Sequence, residues 1–147
     1  MPDDDGLDEI EVLDTQVFAV EDDATLLVAA REVISASFGI ELAEVPGDAW
    51  GVETDLGTLF VGTMSDFIIG LELRLPGEYD ATTALLEYLN ERNAATTFVT
   101  FSILDDRLWV SGNVDGSPFA PAHLTRVVDF MFQAAVAVMA DVQTDID

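Results

Sequence analysis

The sequence contains no cysteine, no lysine and one histidine. Without cysteine there are no disulfides, thiolate ligands or thiol nucleophiles, which fits a chain kept in the reducing cytoplasm. Met1 is followed by Pro2 and a run of acids, not by the basic and apolar start of a signal peptide. The longest uncharged apolar stretch, Phe130 to Ala140, falls short of the roughly 20 residues that a membrane-spanning helix needs, so no transmembrane segment is expected. Positive charge is scarce as well: Arg31, Arg74, Arg92, Arg107 and Arg126 stand against 29 acids, for a net charge of -24. Such a surface repels nucleic acid and anionic membranes, and neither is expected as a partner.

Catalytic chemistry is equally hard to find. His123, the only histidine, has no marked partner in Ser117 or Asp115, and a general base needs one. Asp105, Asp106 and Asp115 are hard oxygen ligands, but their spacing is not that of a calcium loop and turn roles suit them better. Gly57, Gly62 and Gly70 are too scattered for a phosphate loop. Glu72 and Arg74 share a strand face and read as a solvated ion pair. No catalytic residue, cofactor or metal site is expected.

What is present is a foldable chain. At 147 residues, with 50% hydrophobic residues and a mean hydropathy of +0.31, the sequence is long and apolar enough for one core. The charge must then sit on the surface and at the ends. A surface rich in Asp and free of Lys suits very high salt, where the Debye length shrinks to about 3 Å at 1 M. A GC-rich genome that codes Arg in place of Lys, as in many actinobacteria, gives the same composition, and the sequence alone leaves both readings open.

Residues 1–22 read as an acidic tail, with order beginning as early as Thr15, and residues 144–147 as a second one. Between them, residues 23–143 read as a single α+β domain. Asp22 or Asp23 caps a helix from about Ala24 to Phe38, stopped at Gly39, and its Arg31 is expected to pair with a neighbouring carboxylate. After Pro46-Gly47 the pattern alternates. Trp50 to Thr54, Thr58 to Met64 and Phe67 to Leu75 make a three-stranded meander, with turns at Asp55-Gly57 and Ser65-Asp66. A second helix follows from Thr82 to about Asn93, with Leu85, Leu86 and Leu89 inward. Thr97–Leu104 and Arg107–Val114 form a hairpin across Asp105-Asp106.

A third helix starts at Pro121. Its seam of Leu124, Val128, Met131, Ala135, Val138 and Val142 is joined by Phe130, Phe132 and Val136, so burial nearly all round is expected. That helix packs between the sheet and the first helix, or part of it lies in a dimer interface. Helices set apart from antiparallel hairpins make an α+β fold.

Three groups of residues resemble the YbjN family. They are the first helix ending in Phe38-Gly39-Ile40 before Glu41 and Glu44; Leu85, Leu86 and Leu89-Asn90 with Asn93; and the hairpin Phe98–Ile103, Asp105-Asp106, Leu108–Val114. The resemblance spans Ala24 to about Val142 and implies a type III secretion chaperone-like fold: small acidic proteins that often dimerise and bind extended segments of other proteins. It also implies a sensory-transduction regulator or chaperone-like module without a catalytic site. The polar Ser111-Gly112-Asn113 late in the last strand departs from that pattern, and the family supplies no functional residue to carry over.

The expected function is therefore a non-enzymatic, chaperone-like protein-binding module, a homodimer whose partner is a neutral to basic protein or peptide. Trp50, Trp109 and Phe98 are the candidate partner-binding residues, because large rings concentrate binding energy, although they also fill cores. Phe132 joins them through the third helix. The alternative is an acidic decoy, a nucleic-acid mimic that occupies a basic protein surface.

Overall fold

The computed structural model describes residue 19 and residues 22–47, 49–64, 67–96 and 98–142. Nearly all of the first acidic tail, the whole of the second and the Ser65-Asp66 turn lie outside them. Helix α1 (Asp23–Phe38) starts where Asp22, in extended conformation, accepts the Thr25 N–H at 2.8 Å. Leu26, Ala30 and Ile34, four residues apart, form its buried stripe. Gly39 ends it at φ 67, a left-handed conformation that disfavours any side chain.

Six strands form one antiparallel sheet in the order β1-β2-β3-β4-β6-β5. They are β1 (Ala43–Val45), β2 (Ala49–Thr54), β3 (Gly57–Met64), β4 (Ile68–Arg74), β5 (Val99–Leu104) and β6 (Arg107–Asp115). Helix α2 (Thr83–Ala95), capped by Thr82, carries the chain from β4 past the next position to the far edge, and the β5–β6 hairpin then fills the gap. The meander has one strand more than the sequence suggests. Ala43–Val45 spans only three residues, two of them exposed, and so carries no alternation to read.

Register sorts the side chains. Leu59 and Val61 of β3 face Leu73 and Leu71 of β4, and these neighbour Val110 and Gly112 of β6. Val99 and Phe101 of β5 complete this buried face. Helix α1 and helix α3 (Pro121–Asp141) pack across it, and among the described residues the opposite face carries no helix. The polar run in β6 now has a reason. Gly112 lies under α3, where a Cβ would meet Val127 Cγ1 at 3.0 Å, while Ser111 and Asn113 line a trough on the other face.

In α3 the expected seam is buried throughout, from Leu124 to Val142. By length and composition, with a mean hydropathy of 1.2, this helix could cross a membrane; here its apolar stripe is seated on the sheet and on α1. Burial all round does not occur, since Phe130 and Val136 are exposed. The sheet and α1 cover the stripe of Leu124, Val128, Met131, Ala135 and Val138, and these two side chains fall outside it. Leu86, expected inward, is exposed too, because Leu85 and Leu89 alone align on the buried side of α2.

Candidate functional site

The sheet has two edges, and they differ. Beside β5 lies α2, whose Asn93 donates from Nδ2 to the Phe101 carbonyl (3.0 Å) and accepts the Phe101 N–H at Oδ1 (2.6 Å). In the two-residue β5–β6 hairpin, alternate residues turn their amides away from the partner strand, and the Phe101 groups are among those a further strand would use. The Arg92 guanidinium lies 6.0 Å from the Phe101 ring centroid, so α2 occupies this edge at Phe101. Beyond β1 there is no further strand among the described residues. Ala43 and Glu44 are exposed and Val45 is half-buried.

Just before β1, between α1 and the residues that lead into the strand, a groove of about 410 Å³ is lined by Arg31, Glu32, Ser35, Ala36, Glu41 and Leu42. Glu44 is the cross-strand partner of Trp50, which is half-buried. Arg31 does not pair, as expected, with a carboxylate among the described residues. Its guanidinium carbon sits 3.2 Å from the Trp50 ring centroid, and its buried Nε has no hydrogen-bond partner. A flat, weakly hydrated guanidinium stacks well on an indole, and the neighbouring acids keep their water instead.

Trp109 lies on the helix-free face, 6.1 Å from Phe60. Arg74, expected beside Glu72 as an ion pair, stands 5.5 Å from the Phe60 ring and 5.9 Å from the Trp109 ring. Next to this group is a trough of about 290 Å³, lined in part by Gly62, Gly70, Met64, Ser111 and Asn113. Phe98 is elsewhere again: at φ 77 it is 47% exposed, and its ring lies 5.5 Å from Phe130 and 6.1 Å from His123. Phe132 is turned inward, edge-on to Phe38 at 5.6 Å.

The four sequence candidates thus occupy four places, and the structure brings none of them together. Trp50 underlies the groove, Trp109 belongs to the bare sheet face, Phe98 to an exposed aromatic cluster and Phe132 to the α1–α3 seam. Asp105 and Asp106, at φ 53 and 63, form the hairpin turn, while Asp115 accepts the Ser117 N–H at 3.1 Å. Among the described residues no three His, Asp or Glu side chains gather into a metal site. Glu32, Glu41 and the edge-closing role of Asn93 escaped the sequence reading. Their signal lies in the topology, since acids on a helix and a loop look solvated until the open edge is known.

An antiparallel sheet with helices on one face and an α-helical crossover to its far edge is the fold of the type III secretion chaperones. The Yersinia pestis chaperone SycH, solved with a fragment of YscM2, matches at 12% identity and a TM-score of 0.57, over 74% of this chain and 96% of that one. A chain of the HopA1–SchA chaperone–effector complex matches at 10% identity and a TM-score of 0.60, over 80% of this chain and 97% of that one. Among curated proteins no match is found. Residues 30–147 match the family described as T3SS (YopN, CesT) and YbjN peptide-binding chaperone 1. The chain belongs to that family.

Proposed function

We propose that this protein is a non-enzymatic chaperone module of the cytoplasm that receives an extended segment of another protein as an additional strand along β1. One observation carries this reading: of the two sheet edges, β5 is closed by Asn93 and α2, whereas β1 offers its backbone with a groove beside it. An added strand gains main-chain hydrogen bonds, and neighbouring pockets select its side chains. The family and the partner fragments held by its structural neighbours support a peptide ligand. The acidic decoy draws no support from either. The folded unit spans residues 23–143, and the homodimer uses the exposed Phe98 and Phe130, because the Phe132 ring is occupied by Phe38.

Hydrogen exchange tests the docking edge. A panel of extended peptides is added, and the amides of Ala43–Val45 are followed. Slowed exchange there is the expected result. Peptides that bind while leaving β1 unprotected, or a panel in which none binds, would overturn the reading.

A further inference from the structure

The sheet register bears on the chemistry of the ligand, and this step rests on the strand-addition reading above. Ala43 and Val45 pair with Gly51 and Ala49, whose neighbours on β3 lead to the helix-free face, whereas Glu44 pairs with Trp50 on the helix face. A strand laid against β1 sends its side chains alternately to the two faces. Those on the helix face emerge beside Glu44 and over the groove that contains Glu32, Glu41, Ala36 and the buried Leu42.

We propose that the received segment is cationic, with an arginine or lysine whose aliphatic stem lies on Leu42 and Ala36 and whose charge reaches Glu32 and Glu41. Arg31 is the one cation lining the groove, and Trp50 holds its guanidinium at 3.2 Å from the ring centroid. The acids are thereby left for an incoming charge. A long basic side chain satisfies both parts of such a groove, while an apolar one would desolvate the carboxylates without a partner. A second copy of the chain is the poorer occupant, since β1 against β1 sets Glu44 near its own counterpart and like charges across strands repel. Trp50 is a positioning residue in this scheme.

The test uses three extended peptides that differ at one helix-facing position: arginine, its neutral isostere citrulline, and glutamate. Binding is followed by fluorescence anisotropy and by exchange at Ala43–Val45. The arginine peptide is expected to bind about three- to tenfold more tightly than the citrulline peptide, with the advantage shrinking in salt. E32Q/E41Q should abolish that difference, and W50L, which frees Arg31 to reach the acids, should reduce it. E87Q/E91Q on exposed α2 positions makes the same change in net charge and should leave the difference intact.

Equal binding of arginine and citrulline peptides, with β1 protected by both, would sink the cationic assignment and leave strand addition standing. An equal loss in E87Q/E91Q would reduce the effect to general attraction by an acidic protein and sink it too. Failure of every peptide to protect β1 would instead remove the reading on which it rests.

Discussion

Asn93 on α2 is bonded twice to the backbone of Phe101 on β5, through its amide nitrogen and its carbonyl oxygen. One side chain thus does for a β-strand what a neighbouring strand would do. Asn93→Leu removes both bonds and leaves a backbone donor and acceptor facing an apolar side chain. The expected loss is about 1–3 kcal/mol, read from urea unfolding. Asn90→Leu, at an exposed position of the same helix, should change stability by less than about 0.5 kcal/mol. Equal effects would mean that the Phe101 bonds contribute nothing.

Stability should also rise with salt. With 29 acids against five arginines, self-repulsion is large in dilute buffer and is screened in molar KCl. The counter-effect of salt on ion pairs is small here, because Arg31, Arg74 and Arg92 lie over aromatic rings. The thermal midpoint is expected to climb between low salt and 1 M KCl. A flat response would show that the charges do not strain the fold.

Asp22 gives a pH-dependent contribution of known sign. The Thr25 N–H holds its carboxyl below the ordinary carboxylate value. A carboxyl whose folded-state value is depressed stabilises above the unfolded value, and that contribution fades as pH falls through the lower, folded one. Asp22→Asn keeps a capping oxygen without a titrating group. The stability advantage of the parent over Asp22→Asn should be present at neutral pH and should fade as pH falls below about 4, the ordinary carboxylate value. An advantage that persists in acid would assign the effect to something other than this carboxylate.

Phe130 and Phe132 separate surface from core within a single helix. Phe132→Asp places a charge against Phe38 in the α1–α3 seam and should cost about 3 kcal/mol or more. Phe130→Asp should leave the folded subunit within about 1 kcal/mol of the parent while weakening self-association in light scattering. A protein that is monomeric before and after the change would end the dimer assignment.

Much of the architecture is visible in the chain itself. Asp22 and Gly39 mark the ends of α1, the alternation in β4 separates Leu71 and Leu73 from Glu72 and Arg74, and the seam of α3 is written in steps of three and four. The candidate site is far less visible. β1 is too short to show a period, and nothing in Ala43-Glu44-Val45 says that it ends a sheet. Arginine partners are also out of reach: Arg31 has Glu32 as its chain neighbour, yet the indole that receives it comes from β2. Leu86 and Phe130 mislead in the same way, because an apolar side chain on a helix does not record whether another element faces it.

The closure of β5 also decides how far this sheet can grow. A domain with two bare edges can be extended at both ends, which is how strands propagate into fibrils. With Asn93 and α2 as a stop, anything added at β1 ends the series: one segment per domain, or one reciprocal contact between two domains, and no third. On the strand-addition proposal, a domain that receives an extended chain is thereby kept from becoming the template for its aggregation.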